Sequence, residues 1–202
     1  MLWLIFDTET TGLPPKNKIL SKENLQDWPH IVQLSFILFN TETKKITEYD
    51  YIISAPDIPE ESTKIHGITK EMNKQQGFYF PCIFDLFNLC LDLCDLVIGH
   101  NISFDIQMLT AQCLRHDISF SMKKPIICTM KSTTQMCNLP RMKWPNLNEL
   151  HCKLFKETVP YLHNSIIDVI VCLRCYYWIV YKIDLFEIKK IYKVRVPTIK
   201  LE

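Results

Sequence analysis

Two acidic residues, Asp7 and Glu9, directly follow a short apolar stretch at the start of the chain, in the sequence LIFDTETTGL. The apolar run from Leu2 to Phe6, with a glycine at position 12, predicts a buried strand. Because side chains alternate along a strand, Asp7 and Glu9 are expected on the same face, where their charges repel each other. Burying an unpaired carboxylate costs several kcal/mol. The pattern therefore requires positive charge between the two acids, supplied from elsewhere.

The overall composition is that of a globular protein whose net charge is too small to create a strong electrostatic field. The 202 residues suffice for one domain with a sizeable core, and 48% of them are hydrophobic and 22% charged. The formal net charge is +1, so a polyanionic ligand would have to be bound by a local cluster of charge. The first residues contain no basic segment followed by a small-residue cleavage site, so we expect an intracellular protein, in the cytoplasm or the nucleus.

Nine cysteines, an odd number spread along the chain, fit reduced thiols in such a compartment. Cys172 and Cys175 form a CxxC pair, which is typical of a zinc site or a redox pair. No second pair follows at the spacing of a zinc finger, and the surrounding segment predicts a helix. The favoured interpretation is that both are thiols packed in a core.

The apolar run IIDVIVCLRCYYWIVY, residues 166–181, resembles a membrane span. It is shorter than the roughly 20 residues that a span requires, and it contains Asp168 and Arg174. It therefore predicts a buried core helix and no membrane partner, with a charged residue that needs a partner inside the protein.

Hydrophobic periodicity divides the chain into strands and helices. Strands are predicted at 2–6, 31–40, 46–54, 96–99 and 126–128, and helices at 84–94, 104–115, 130–137, 146–156, 164–181 and 185–192. Thr69 is expected to cap a further short helix. Three leading strands followed by alternating helices and strands indicate an α/β fold, with a mixed five-stranded sheet flanked by helices.

Two further acids are expected at one end of this sheet. Asp105 lies in VIGHNISFD, where a strand ends and a helix begins, and Asp168 lies in HNSIIDV. His163 is about 140° away from Asp168 around a helix, so we expect it before the helix, with Asn164 or Ser165 at the cap.

Four carboxylates from three segments can thus converge, and carboxylate oxygens are the ligands that Mg²⁺ and Mn²⁺ prefer. Two divalent cations, Mg²⁺ or Mn²⁺, would balance these charges and supply the positive charge that Asp7 and Glu9 require.

The segments FDTETTG, HGIT, GHNISFD and HNSIID occur in the order found in DEDDh-type 3′–5′ exonucleases. This family includes the proofreading subunit of bacterial DNA polymerase III and related animal and viral enzymes, and the chain resembles it over about residues 1 to 181. The resemblance implies a ribonuclease-H-like fold, with metal ligands at Asp7, Glu9, Asp105 and Asp168 and a general base at His163. A sister subfamily has a tyrosine four residues before the last aspartate. Asn164 occupies that position here, which favours the histidine type.

The resemblance also implies contacts around the terminal nucleotide. Thr10, Thr11 and Leu13 are expected to line this pocket, with backbone amides and an apolar wedge against the base. His66 and Ile68, in HGIT, are expected beside the same nucleotide. Asn101 either hydrogen-bonds near the sugar or shapes the turn between strand and helix.

The implied activity is two-metal-ion hydrolysis of phosphodiester bonds from the 3′ end of DNA, in proofreading or end trimming, with release of nucleoside monophosphates. Single-stranded or frayed 3′ ends are the expected substrate. The same chemistry on RNA or on short oligonucleotides is an alternative, and a catalytically silent binding module is a third. A silent relative would be expected to lack one of the acids or the histidine, and all five are present. We expect any polymerase or other replication or repair partner to be a separate chain.

An exonuclease domain is expected over residues 1–183, with a C-terminal helix and tail over 184–202 that pack on the domain or extend from it. Residues 14–30 are longer than a typical connection and predict a functional loop. Five basic residues before the last motif either form a solvated face or follow phosphates; they are Lys123, Lys124, Lys131, Arg141 and Lys143.

Overall fold

A mixed five-stranded sheet lies at the centre of the computed structural model, which describes residues 1–160, 162–196 and 199–200. The strands are β1 (Leu2–Thr10), β2 (Ile31–Asn40), β3 (Ile46–Ile52), β4 (Leu96–Gly99) and β5 (Ile126–Cys128). Their order is β3-β2-β1-β4-β5. Strand β2 is antiparallel to β1 and β3, whereas β4 is parallel to β1 and β5. This arrangement confirms the predicted mixed sheet.

Helices cover both faces of the sheet. They are α1 (Glu60–His66), α2 (Lys70–Gln76), α3 (Phe80–Leu93), α4 (Ile102–Arg115), α5 (Thr129–Ser132), α6 (Thr134–Cys137), α7 (Leu147–Phe155), α8 (Ser165–Tyr181), α9 (Leu185–Ile188) and α10 (Lys190–Arg195). Short 3₁₀ helices occupy Lys22–Asp27 and Pro140–Met142, and β6 (Glu157–Thr158) pairs with β7 (Ile199–Lys200).

Alternation along β1 divides the interior into two cores. Trp3 and Ile5 belong to a core formed with α7, α8 and α9, whereas Leu4 and Phe6 belong to a core formed with α3 and α4. All four side chains are at most 3% exposed, so β1 is buried on both faces. The alternation fixes which helix each later residue of β1 can reach.

The buried Arg174 of α8 has the partners that its position demands. Its guanidinium binds Asp184 through Nε and Nη2, at 2.9 and 2.6 Å, and binds Glu157 through Nη1 at 3.0 Å. His151 Nε2 accepts a further hydrogen bond from Nη1 at 2.7 Å, since its Nδ1 donates to the Glu157 carbonyl. The same guanidinium lies between two phenylalanine rings, one on α7 and one on α9. This cluster joins α7, α8, β6 and α9.

Several predicted boundaries differ from the structure. Strand β1 continues to Thr10, and α3 begins at Phe80 because Pro81 suits the first turn of a helix. The helix predicted at 130–137 is divided at Thr133 into α5 and α6. The helix predicted at 185–192 is likewise divided at Lys189. The predicted cap is confirmed, since the Thr69 side chain accepts a hydrogen bond from the Met72 backbone.

Helix α1 is missing from the sequence prediction, although its sequence carries the signals of a short helix. Pro59 precedes it, Glu60 and Glu61 lie in its first turn, and Lys64 lies in its last turn. Gly67 ends it with φ 77°, a left-handed conformation that favours glycine. Charges in this order complement the helix dipole. The segment has a short apolar pattern, and that is why periodicity alone did not detect it.

Helix α8 is the buried core helix predicted for residues 166–181. Cys172 and Cys175 are 3% and 0% exposed within it, which confirms that both thiols are packed. Among the residues that the structure describes, no helix is both long and apolar enough to span a bilayer.

The C-terminal helices pack on the rest of the protein at several points. Asp184 binds Arg174, and the Tyr192 hydroxyl donates a hydrogen bond to Glu48 of β3. Residues 197–198 and 201–202 of the predicted tail lie outside the described residues. The domain boundary at residue 183 stays a prediction.

Replacing Arg174 with methionine should destabilise the fold by about 3 kcal/mol, because two half-buried carboxylates lose their shared partner. Urea unfolding followed by circular dichroism measures this free energy. The matched control is Lys193→Met, which removes an exposed ion pair with Glu187 and should leave the free energy of unfolding almost unchanged. Equal losses in both variants would contradict the role of the buried cluster.

Candidate active site

Four carboxylates meet where β1 and β4 end. Asp7 and Glu9 lie on the face of β1 that packs against α8, Asp168 lies in the first turn of α8, and Asp105 lies in the first turn of α4. Asp7, Glu9 and Asp168 each place one carboxylate oxygen within 4.8 Å of the others. Because β1 and β4 are parallel, their carboxyl ends share one edge of the sheet, and α4 follows β4 directly at that edge.

Thr8 orients Asp105 from the opposite face of β1. The Thr8 backbone N–H and its hydroxyl both donate to Asp105 Oδ1, at 3.0 and 2.8 Å. Asp105 is only 2% exposed and Thr8 5%, so both bonds are shielded from water. Residues 7, 8 and 9 of one strand therefore organise acids on two different helices.

The two carboxylate oxygens of Asp168 have different surroundings. The backbone N–H of His163 donates to its Oδ2 at 3.3 Å. Its Oδ1 is buried and has no hydrogen-bond partner among residues 1–160, 162–196 and 199–200. The start of α8 is further held by Ser165, whose hydroxyl donates to the Asp7 carbonyl at 2.8 Å.

Burial and mutual repulsion keep these carboxylates from ionising at their ordinary pKa values. Burial, and then the charges of Asp168 and Asp105, raise the pKa of Glu9 to about 8. Burial raises the pKa of Asp168 and of Asp105 to about 7, and the hydrogen bonds from Thr8 oppose the rise at Asp105. The pKa of Asp7 is raised well above its usual range, first by burial and then by the neighbouring acids. The cluster is therefore electrostatically strained when no cation is bound.

The cluster has the properties of a site for hard divalent cations. Its donors are all carboxylate oxygens, and Asp168 Oδ1 is buried without a partner among the residues that the structure describes. A divalent cation would satisfy this oxygen and offset the burial and mutual repulsion that raise the pKa values of the carboxylates. The residues present therefore fit Mg²⁺ or Mn²⁺.

A pocket of about 390 Å³ opens beside the acids. Its polar wall contains Glu9, His66 and His163, and its apolar wall contains Ile65 of α1 and Phe104 of α4. Thr10, Thr11 and Leu13 also line it, so the structure brings these three predicted residues together with the acids. Leu13 is 82% exposed and lies at the rim.

The hydroxyls of the two threonines shape the loop after β1. Thr10 Oγ1 donates to the Gly12 carbonyl at 2.7 Å, and Thr11 Oγ1 accepts from the His30 backbone N–H at 2.9 Å. The Thr11 backbone N–H also donates to the His30 carbonyl at 2.9 Å, which closes the loop of residues 14–30 at its base. Because both hydroxyls are engaged within the loop, the threonines offer a ligand mainly their backbone groups and methyl groups.

The loop of residues 14–30 is anchored on α4. Arg115 donates to the carbonyls of Leu25, Trp28 and Pro29, and Lys22 forms an exposed ion pair with Asp117. The loop thereby braces the helix that carries Asp105.

His66 and Ile68 both line a neighbouring pocket, and His66 also lines the pocket beside the acids. His66 Nδ1 accepts from the Ile68 backbone N–H at 3.1 Å, which leaves the proton of the neutral ring on Nε2. Nε2 is buried and has no partner in the described part of the chain. Ile68 is 4% exposed, packs with Val32 and Ile58, and lines a neighbouring pocket of about 480 Å³. His66 lies between the two pockets.

Asn101 and His100 precede α4. Asn101 is the N-cap residue, with φ 63°, and its side chain makes no capping bond. Asparagine tolerates this left-handed conformation better than most residues, so it suits the turn. His100 contacts the Thr129 hydroxyl and the Pro145 carbonyl, at 2.9 and 3.0 Å, and burial lowers its pKa to about 4. It is a structural residue in this arrangement.

Thr8 and Phe104 belong to the site but are absent from the sequence prediction. Each is the sequence neighbour of a predicted acid, Thr8 within DTE and Phe104 within SFD. The motifs drew attention to the acids and not to these neighbours. Strand alternation could have placed Thr8 on the α4 face. Ile65 was missed together with α1.

Comparisons with known proteins agree with this geometry. A family profile described as RNase_T exonuclease matches residues 4–176. DNA polymerase III subunit epsilon of Rickettsia typhi is 27% identical over 180 residues, which cover 86% of this chain and 71% of the relative. The same subunit of Rickettsia conorii is 28% identical over 181 residues, with the same coverage.

Solved structures of nucleases share the fold. The nuclease domain of 3′hExo, a DEDDh family member bound to rAMP, has a TM-score of 0.70 at 16% identity, over 90% of this chain and 92% of that one. Exonuclease X in complex with 5′ overhanging duplex DNA has a TM-score of 0.56 at 19% identity, over 90% and 93%. These likenesses confirm the ribonuclease-H-like fold.

Asp7→Asn should stabilise the cation-free protein increasingly as pH rises. A carboxylate with a raised pKa does not oppose folding while it holds its proton, but the folded state becomes less stable once the pH favours ionisation. This loss of stability begins near pH 4, the pKa in the unfolded chain, and is complete near pH 8, the pKa of Glu9 in the folded protein. In EDTA, the melting temperature of the variant minus that of wild type should grow from near zero at pH 4 or below to several degrees at pH 8. With Mn²⁺ the difference should reverse, because the variant lacks a ligand.

Comparing variant with wild type removes the opposite effect of the buried His100 and His151, whose lowered pKa values weaken the fold at low pH. Asp85→Asn, on the exposed face of α3, is the matched control and should show no pH-dependent difference. A constant difference across pH for Asp7→Asn would contradict the coupled cluster.

Proposed function

The chain belongs to the RNase_T exonuclease family, of the DEDDh type, and we propose that it hydrolyses phosphodiester bonds from the 3′ end of DNA by a two-metal-ion mechanism. As a member of this family it is a metal-dependent 3′–5′ exonuclease. The preference for DNA, the number of ions and the role of each residue are parts of the proposal.

The observation that carries the proposal is the convergence of Asp7, Glu9 and Asp168 within 4.8 Å, beside the buried Asp105 and a pocket that His163 lines. Each pair of acids repels, and the protein nonetheless holds them in place with hydrogen bonds from Thr8, Ser165 and the His163 backbone. Such an arrangement is costly unless cations bind there. Four carboxylates match the charge of two divalent ions.

Two bound divalent ions would polarise the scissile phosphate and stabilise the charge that develops on the attacking and leaving oxygens. The residues of the chain have separate tasks. Asp7, Glu9, Asp105 and Asp168 would hold the ions, and Thr8 would keep Asp105 in position. The Nε2–H of His66, which has no partner in the described residues, would donate a hydrogen bond to the terminal nucleotide.

His163 is suited to act as the general base. His163 itself has φ 77°, immediately before the N-cap residue Asn164, and its side chain borders the pocket that contains Glu9. Its backbone already binds Asp168, so the side chain is left to accept a proton from the attacking water.

The pocket favours an unpaired terminal nucleotide. Ile65, Phe104 and the rim residue Leu13 offer apolar contact to a base. A base within a duplex could make this contact only after it had unpaired. We therefore propose single-stranded or frayed 3′ ends as the substrate, with release of nucleoside monophosphates.

DNA is favoured over RNA because the curated relatives are subunits of a DNA polymerase. The same likeness supports proofreading or end trimming beside a separate polymerase chain. The alternative is the same reaction on RNA.

The decisive assay uses single-stranded DNA and RNA, labelled at the 3′ or the 5′ end, with Mg²⁺, Mn²⁺ or EDTA. Stepwise shortening from the 3′ end, abolished by EDTA, is expected, with DNA degraded faster than RNA. Asp7→Asn and Asp105→Asn should each lower kcat by more than about 100-fold, since even residues that only orient a metal ligand are worth about 10–100-fold. Full activity of these variants, or cleavage in EDTA, would sink the metal-ion assignment; Asp85→Asn serves as the control.

His163→Ala should separate proton transfer from cation binding. Loss of a positioned general base lowers kcat by about 10²–10⁴-fold, whereas the backbone bond from residue 163 to Asp168 survives in alanine. Calorimetric Mn²⁺ titration should therefore give nearly the wild-type affinity for His163→Ala and a much weaker one for Asp168→Asn. The control is His116→Ala, outside the site. A wild-type rate in His163→Ala would place the base elsewhere.

Mismatched 3′ ends should be removed faster than matched ends of a duplex, because fraying a pair costs up to a few kcal/mol. Leu13→Ser should reduce cleavage of matched duplex ends more than cleavage of single strands, if the exposed leucine helps to separate the terminal pair. Rates of release from three labelled substrates measure this. Equal rates on matched and mismatched ends would refute the wedge.

A further inference from the structure

A basic and aromatic surface patch lies beside the active site, and the proposed chemistry does not use it. The patch is formed by Lys131 of α5 and by the segment Arg141–Trp144. Trp144 is 57% exposed, and the Lys131 ammonium lies 5.7 Å from the centre of its ring. Tryptophan is highly buried on average, and here its exposed ring lies next to a cation.

The charge of this region differs sharply from that of the whole chain. Residues 118–148 contain five basic residues and no acidic residue, whereas the formal net charge of the chain is only +1. Two of the five are engaged within the protein, since Lys124 donates to the carbonyls of Asp92 and Cys94 and Lys143 pairs with Glu149. Arg141 is exposed and has no hydrogen bond or ion pair within the residues that the structure describes.

The patch is attached rigidly to the site. Pro145, the residue after Trp144, is held through its carbonyl by His100 at 3.0 Å. Asn146, the next residue, caps α7 through a reciprocal pair of bonds with Glu149. Lys143, the residue before Trp144, pairs with the same Glu149. The tryptophan therefore lies between anchored residues on both sides.

A second pocket lies between the acids and the N-cap residue of α7, two residues after Trp144. This pocket, of about 340 Å³, extends from Asn146 and Leu147 to His163 and Asp168. His163 also lines the pocket that contains Glu9, so the two pockets meet at the proposed general base. A strand that places its terminal nucleotide beside Glu9 can leave through the second pocket toward Trp144.

We propose that Trp144, with Lys131 and Arg141, is a stacking platform for single-stranded nucleic acid, which binds a base and its phosphates upstream of the scissile bond. The inference rests on the proposed function and names the residues that hold the strand. Aromatic rings bind unpaired bases of any sequence, and neighbouring cations bind their phosphates. Bases within a duplex are already stacked, so the platform should distinguish single strands from duplexes.

The test is equilibrium binding of the full chain to labelled oligonucleotides in EDTA, which prevents hydrolysis and makes the measurement independent of activity. Trp144→Ala should weaken binding of a DNA or RNA single strand of about 20 nucleotides by about 5- to 100-fold. Trp144→Phe should restore most of the affinity. Binding of a blunt duplex of the same length should change by less than about twofold.

A control variant and the salt dependence separate stacking from charge. Tyr79→Ala removes another exposed aromatic residue, 62% exposed at the start of α3, and should leave the affinity unchanged. Arg141→Gln should lower the slope of log affinity against log salt by about 0.7, the value for one phosphate contact on a single strand. Trp144→Ala should leave that slope unaltered.

The inference is overturned if Trp144→Ala binds single strands as tightly as wild type, or loses single strands and duplexes equally. Failure of the proposed function looks different, because wild type would then release no nucleotide with Mn²⁺ whatever the binding results. Wild-type cleavage together with unchanged binding by Trp144→Ala would reject the platform alone.

Discussion

Repulsion among four carboxylates is the constraint on which the arrangement of this protein depends. Asp7, Glu9, Asp105 and Asp168 would separate in water, and burial makes their charged forms costlier still. What holds them together is the remainder of the fold, through two hydrophobic cores and a few directed hydrogen bonds. Folding energy is thereby spent on a site whose charges are balanced only when cations bind.

Strand β1 carries this constraint into the rest of the molecule. Its odd-numbered residues pass from the core beneath α8 to Asp7 and Glu9, and its even-numbered residues pass from the core beneath α4 to Thr8. A shift of one residue in its pairing with β2 would turn the acids toward α4 and leave Asp105 without Thr8. Apolar burial on both faces prevents that shift. The same residues that stabilise the fold therefore determine the register of the proposed metal ligands.

The sequence predicted the strands better than the helices, for a physical reason. Strands β2, β4 and β5 begin and end as predicted, because continuous apolar runs bounded by polar residues mark them. Helix α1 was missed, and α5 and α6 were merged, because segments this short are stabilised by contacts distant in sequence. The acids were predicted from motifs, and the structure brings them together. The roles of Thr8 and Phe104 were not predicted. The hydrogen bonds of Thr8 and the place of Phe104 in a pocket wall depend on which elements pack against them, and the motifs do not specify that.

The distribution of charge suggests how a nearly neutral chain can attract a polyanion. The four acids of the site lie together at one end of the sheet. The segment from residue 123 to residue 143 contains lysines and an arginine and no acidic residue. Over a screening length of about 8–10 Å, such local charge matters more than the net charge of +1. Metal ions at the acids would remove the main repulsion between the site and phosphate. A cation-bound site beside a basic and aromatic surface would then present one continuous attractive path to a strand, whereas the cation-free site would interrupt it.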